Sequence, residues 1–149
     1  MPADLLTHVL RQADRTLVLS HRLAEWLTHA PELEEDMALA NISLDLLGQA
    51  RHLYTYAGKL EGRGHDEDHF AYFRDAADFR NPLIVEQPNG DFAVTMARQV
   101  LHDHAALLYW ESMRSSTDQT LAALATRAVN ETRFHLRHST GWLIRLGDG

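Results

Sequence analysis

The stretch "MALANISLDLL", Met37 to Leu47, is apolar on almost every side when it is wound as a helix. A helix without a polar face is typical of one that other helices surround, because apolar surface is unfavourable in water. Pro31 and the acids that follow it mark the start of this helix, since the first turn tolerates a missing N–H and favours carboxylates. The sequence therefore predicts a central helix from Pro31 to about Lys59.

Three more helices are predicted, one before the central helix in the sequence and two after it. Apolar residues spaced by three, four or seven positions predict the first helix from Leu5 to about Thr28. The tripeptide Asn89-Gly90-Asp91 can cap a third helix, and Thr117-Asp118 can cap a fourth. The fourth pattern continues to Gly147. The central helix is therefore the second of four.

Residues 62–90 lack helical spacing and mix acids with aromatic residues, so we expect a long connection there, with one short helix near residues 67–77. Two helices, a long crossover and two more helices are the connectivity of ferritin-like bundles. The sequence predicts an all-α fold, a ferritin-like four-helix bundle with a long crossover between helices two and three. Residues 1–149 are expected to form a single domain.

Composition and charge exclude several classes of function. A formal net charge of −7 without a basic stripe argues against a nucleic-acid partner. The chain has no cysteine, which excludes disulfides, iron–sulfur clusters, thiolate metal sites and a cysteine nucleophile. Charges at Asp4, Arg11, Asp14 and Arg15 interrupt the first twenty residues, so we expect neither a secretory signal nor a membrane span. We expect a cytoplasmic protein.

The ferritin-like prediction can be tested against the metal ligands that such bundles use. Two helices each supply one carboxylate, and each of the other two supplies a Glu-x-x-His pair. Glu131 is the natural carboxylate of the fourth helix, but the residue three positions later is Phe134, and His135 comes one position late. Asp45 is the matching acid of the second helix, and three positions later stands Gly48. Both histidines of the pattern are therefore missing.

We interpret the remaining polar residues as a vestigial polar core without a metal, in which each acid is paired across the bundle. Its candidate residues are Asp45, Asp103, Glu131 and His135. No catalytic or cofactor-binding residue is predicted. A di-metal oxidase with a degenerate centre is the alternative, and a module that binds CoA esters is a third reading for which the sequence offers no specific residue.

The stretch "NETRFHLRHS", residues 130–139, presents two strips on the fourth helix. Glu131, His135 and His138 share one side, which we expect to face the bundle. Arg133 and Arg137 form a second strip, which we expect to face outward. Glu131 is predicted to be buried and paired with a group from helix one or two. A glycine destabilises the interior of a helix relative to alanine, and it is usually found there because another helix packs closely against it. We therefore predict close approach of a neighbouring helix at Gly48.

Other histidines have weaker claims to a site. His65 and His69 flank an acidic run in the crossover, a spacing that could hold a metal if the segment were helical, although a solvated loop is the favoured reading. His102 and His104 bracket Asp103, so on a helix they point away from each other.

Three long stretches resemble the family of structural C subunits of the ring-1,2-phenylacetyl-CoA epoxidases, which are bacterial multicomponent oxygenases. The stretches are "APELEEDMALANISLDLLGQARHLYTYAG" at residues 30–58, "PLIVEQPNGDFAVTMARQ" at 82–99 and "RFHLRHSTGWLIRLGDG" at 133–149. The resemblance covers nearly the whole chain.

The resemblance implies a ferritin-like fold and a scaffolding role in phenylacetate degradation. It places the di-iron centre on a homologous catalytic A subunit, so this chain is expected to hold no cofactor of its own and to have the A subunit and the other subunits of the complex as partners. Family members continue with further helices beyond the point that matches Gly149. We therefore expect exposed apolar surface on this chain, which would lead it to bind a partner or to self-associate.

Overall fold

The computed structural model describes residues 2–149, and every regular element among them is helical. Five α-helices follow one another in the order α1 (Pro2–Ala24), α2 (Leu33–Glu61), α3 (Glu67–Tyr72), α4 (Phe92–Met113) and α5 (Gln119–Asp148). Short 3-10 turns at Ala76–Asp78 and Leu83–Glu86 complete the connection between α3 and α4. The all-α prediction is confirmed, as is the order of four long helices with a crossover between the second and the third.

The chain divides into two compact units, the first ending at Gln87 and the second beginning at Pro88. The prediction of one domain over residues 1–149 stays a prediction. None of the helices between residues 2 and 149 combines the length and the apolar character that crossing a membrane requires.

In the first unit, α1 packs along α2 and buries the apolar side that the sequence predicted for it. Val9, Ala13 and Leu17 on α1 are buried, and each large apolar side chain removed from water in this way contributes about 1.5–3 kcal/mol. The pair also has a polar contact, because the Ser43 hydroxyl donates to the Ser20 carbonyl oxygen over 2.8 Å. These contacts fix the two helices side by side.

Two helix boundaries of the first unit differ from the sequence prediction. α1 ends at Ala24 rather than near Thr28, because the chain turns there and Thr28 takes a left-handed φ of 70°. The short crossover helix ends at Tyr72 instead of continuing to residue 77. α2 ends at Glu61, two residues after the predicted end near Lys59, and the φ of 72° at Gly62 lets the N–H of this residue reach the Gly58 carbonyl oxygen.

In the second unit, α4 pairs with α5 and both predicted caps are present. The Asp91 carboxylate accepts from the Val94 N–H over 2.9 Å, and Asp118 accepts from the Leu121 N–H over 2.9 Å. The pair buries a row of apolar side chains from both helices. They are Phe92, Met96, Ala106, Trp110, Leu121, Ala125, Ala128 and Val129.

Within the first unit no helix packs on one face of α2, and that other helices surround α2 stays a prediction. Met37, Leu44 and Leu47 lie in the stretch that is apolar all round, yet they are 60%, 63% and 42% exposed. The first unit supplies no close neighbour at Gly48, because no atom apart from the adjacent backbone of α2 lies within 4 Å of the place where a side chain would begin. The glycine of α2 that does need its small size is Gly58, where a Cβ would collide with the His65 carbonyl oxygen.

Candidate functional site

The candidate site of the second unit is a buried polar cluster centred on Asp103, which α4 presents toward α5. Asp103 is 2% exposed. His102 Nδ1 lies 3.0 Å from one carboxylate oxygen, and the Ser139 hydroxyl donates to the other over 2.9 Å. His102 and Ser139 are themselves buried. Both oxygens of the carboxylate are therefore engaged by partners within the unit.

This cluster has the wrong order for nucleophilic catalysis. A serine nucleophile needs a histidine at its hydroxyl, with the acid on the far side of the imidazole. Here Asp103 stands between His102 and Ser139, and it accepts from both. The arrangement can hold α4 against α5, but it does not activate the Ser139 hydroxyl.

The four residues predicted for the polar core divide into two pairs. Asp103 and His135 are buried, each with 2% of its surface exposed. Asp45, on α2, and Glu131 are half-buried, so the burial predicted for Glu131 is wrong. Within the strip formed by Glu131, His135 and His138, the His135 side chain is buried, and the other two side chains are half-buried. That Glu131 has its partner on helix one or two stays a prediction.

A di-metal centre would need several of these side chains to converge. Across residues 2–149, no three His, Asp or Glu side chains are grouped so that they could hold one metal ion. Asp103 would have to give up Ser139 and His102 before it could bind a cation, and Phe134, at the position of the expected histidine, is 48% exposed. The residues present do not fit the donor set of such a centre.

The arginine strip of α5 lies at the surface, as predicted. Arg133 and Arg137 are exposed. The Arg133 guanidinium is 3.0 Å from a carboxylate oxygen of Glu111, and both side chains remain accessible to water. An ion pair in this setting contributes at most about 1 kcal/mol, because water screens it.

A second buried cluster, in the first unit, was not predicted from the sequence. Asp14 on α1 is fully buried, and one of its oxygens accepts both from the Tyr54 hydroxyl and from the Arg74 guanidinium, each over 2.5 Å. Its other oxygen accepts from the Arg80 backbone N–H over 2.8 Å. One carboxylate thus fixes α1, α2 and the crossover together.

The environment of this cluster changes the acidity of the phenol. Burial, and then the adjacent Asp14 carboxylate, raise the pKa of Tyr54 well above its ordinary value, and Arg74 offsets only part of this. Tyr54 therefore stays a hydrogen-bond donor to Asp14 at any physiological pH. In the sequence, only the position of Asp14 next to the apolar stripe of α1 pointed to this cluster. Its partners Arg74 and Arg80 belong to a segment without periodicity, so the sequence pattern did not place them near α1.

The crossover histidines are stacked rather than convergent. The rings of His65 and His69 are parallel within 7°, with centroids 3.5 Å apart. His65 Nδ1 contacts a carboxylate oxygen of Glu61 over 2.5 Å. Ring nitrogens bind metals in the plane of the ring, so two parallel rings do not direct their lone pairs at one ion. Of the histidines beside Asp103, His102 is buried and His104 is exposed, as expected for neighbours two positions apart.

Comparison with known proteins agrees with the resemblance found in the sequence. Residues 2–149 match the family described as phenylacetic acid catabolic protein. The chain is 54% identical over 146 residues to the C subunit of 1,2-phenylacetyl-CoA epoxidase from Escherichia coli (strain K12), and the match covers 98% of this chain and 58% of that relative. The chain thus spans less than two thirds of the length of the curated relative. By both measures the chain belongs to the phenylacetic acid catabolic protein family.

Proposed function

We propose that this chain is a non-catalytic scaffolding subunit of a phenylacetyl-CoA epoxidase in aerobic phenylacetate catabolism. It stabilises and docks a homologous catalytic A subunit, which holds the di-iron centre and transfers oxygen from O₂ to the aromatic ring. The observation that carries the proposal is the 54% identity to the C subunit of an epoxidase over 98% of this chain. The proposal places the complex in the cytoplasm.

The geometry of the second unit supports a non-catalytic role. The most buried acid of α4, Asp103, is held by hydrogen bonds to Ser139 and His102. These bonds stabilise the pairing of α4 with α5, and the same oxygens would be needed as ligands in a metal centre. A role of Asp103 in holding two helices together is consistent with a structural function of this chain.

Reconstitution of turnover tests the proposal. We expect the purified A subunit, supplied with its reductase and phenylacetyl-CoA, to form the ring epoxide several times faster when this chain is present. An unrelated helical protein at the same concentration is the control and should have no effect. Epoxide formation by this chain alone, with reductase and added iron, would instead establish the di-metal oxidase alternative.

A further inference from the structure

The crossover begins with a pair of stacked histidines, which the proposed function does not use. The rings of His65 and His69 are parallel within 7°, and their centroids are 3.5 Å apart. His65 lies in the loop after α2, and His69 lies in α3. Both side chains are half-buried. The stack therefore contributes to the position of α3 on the end of α2.

The other contacts of α3 are few. A helix of six residues is too short to be stable in water without packing against the rest of the fold. Phe70 stacks on Tyr54 of α2 with ring centroids 5.9 Å apart. Glu67 pairs with Arg51 at the surface, where water screens the ion pair. Loss of the histidine stack would therefore release α3 more readily than it would separate α1 from α2.

The two stacked rings differ in the charge that surrounds them. His65 Nδ1 lies 2.5 Å from a carboxylate oxygen of Glu61, at the end of α2. This acid balances one positive charge on the His65 ring. Among residues 2–149, the His69 ring contacts only aromatic rings, which are those of His65, Phe70 and Phe73. A positive charge on His69 has no acid partner.

The neighbouring charged side chains do not supply that partner. Asp66 accepts a hydrogen bond from a backbone N–H of α3, not from a ring. Glu67 is engaged by an arginine of α2, and the exposed Asp68 forms no ion pair with either ring. Lys59 and Arg63 are exposed cations, which add to the positive charge near the stack. The stack therefore accommodates one proton better than two.

This difference links the stack to pH. Histidine is the side chain that ordinarily changes its charge between about pH 8 and 5. Two protonated rings in the stack repel each other, whereas in an opened segment the rings move apart and water solvates each charge. The opened form therefore binds the second proton more readily than the stack does. A fall in pH favours whichever form binds more protons, which here is the opened form.

We infer that the His65–His69 stack is an acid-sensitive latch of the crossover. At neutral pH it holds α3 against α2. Between about pH 7 and 5, protonation of both rings releases α3 while α1 and α2 stay paired. The inference goes beyond the proposed function and does not depend on it.

Hydrogen exchange measured by mass spectrometry on the full chain tests the latch at about pH 7.5 and about pH 5.5. Each rate is corrected for the exchange rate of an unstructured peptide at the same pH. We expect peptides from residues 66–73 to exchange at least about fivefold faster at the lower pH, and those from residues 39–54 to change less than about twofold. Equal rates at both pH values, or an equal increase in both segments, would overturn the inference.

Matched substitutions separate repulsion between the rings from other effects of acid. His69→Phe and His65→Phe each keep an aromatic ring in the stack and leave only one ring that can carry a charge. His52→Phe is the control, because it removes an exposed histidine of α2. Circular dichroism first confirms that the variants fold. We expect either change in the stack to abolish the faster exchange at the lower pH, and the control to retain it.

Two results from these variants would contradict the latch. If His69→Phe still exchanged faster at the lower pH, repulsion between the rings would not be the cause. If His65→Phe alone abolished the effect, the sensitive contact would be the bond between His65 and Glu61.

Nuclear magnetic resonance of the unmodified chain gives a measurement that needs no substitution. Protons above the face of an aromatic ring are shielded, so the stacked rings should shift each other's ring protons upfield at neutral pH. We expect this shielding to disappear as the pH falls to about 5.5. Shielding that persisted after both rings had been protonated would show that the stack stays closed, and the inference would be wrong.

Discussion

At the scale of single residues, Asp14 joins three segments of the first unit. It is fully buried, and it accepts hydrogen bonds from the Tyr54 hydroxyl, the Arg74 guanidinium and the Arg80 backbone N–H. A buried charge persists only when it is paired and hydrogen-bonded. The position of the segment that follows α3, which contains Arg74 and Arg80, therefore depends on this carboxylate.

We expect Asp14→Ala to destabilise the chain by about 3–5 kcal/mol, because it leaves the Arg74 charge and the Tyr54 hydroxyl without their acceptor. Urea denaturation followed by circular dichroism measures the loss. Glu111→Ala is the control, since it removes an acid from an exposed ion pair with Arg133 and should cost less than about 1 kcal/mol. Equal losses from the two substitutions would show that Asp14 has no special role.

Tyr54 predicts a response to alkaline pH. Its pKa is raised in the folded chain, so the folded state retains the phenolic proton more tightly than the unfolded state does. Its contribution to stability is complete below the ordinary tyrosine pKa of about 10 and falls as pH rises above that value. The urea midpoint of the unmodified chain should decrease more between pH 9 and about 11 than that of Tyr54→Phe. Parallel decreases would rule out the phenol as the cause.

Ser139 makes the matching prediction in the second unit. We expect Ser139→Ala to destabilise the chain by about 1.5–3 kcal/mol, because a hydrogen bond to the buried Asp103 carboxylate is lost. Thr126→Ala is the control, since its exposed hydroxyl bonds only to the Ala122 carbonyl oxygen of its own helix. If Ser139→Ala unfolded at the same urea concentration as the control, the α4–α5 contact would not depend on this bond.

At the scale of elements, the helices were predictable from sequence because local signals determine them. Asp91 and Asp118 cap α4 and α5 as predicted, and Gly62 ends α2. The environment of α2 was not predictable in the same way. A helix that is apolar all round can be surrounded by its own chain or by another chain, and composition does not distinguish the two.

The two glycines of α2 make a paired prediction. Gly48→Ala should stabilise the isolated chain by about 0.5–1 kcal/mol, because alanine favours the helix and its Cβ meets no atom within 4 Å. Gly58→Ala should destabilise it by about 1–3 kcal/mol, because the new Cβ collides with the His65 carbonyl oxygen. Thermal unfolding measures both. A loss of stability at Gly48 would mean that α2 has a close neighbour there.

At the scale of the whole molecule, the sequence predicted both the family and the all-α fold. Three long stretches that resemble the family identified it, and the order of the helical patterns identified the fold. The sequence also predicted that Asp103 and His135 belong to a polar core, and both side chains are buried. It did not predict the Asp14 cluster, because that cluster joins α1 to residues 60 and 66 positions further along. Contacts across such distances, through a crossover without periodicity, leave no local pattern.

The central claim is our prediction that this chain holds no metal centre, and the iron content of the purified protein tests it most directly. The chain is expressed with added iron and analysed by inductively coupled plasma mass spectrometry, with the A subunit prepared in parallel as the positive control. We predict no stoichiometric iron on this chain and about two iron ions on each A subunit. About two iron ions on each copy of this chain would contradict the claim.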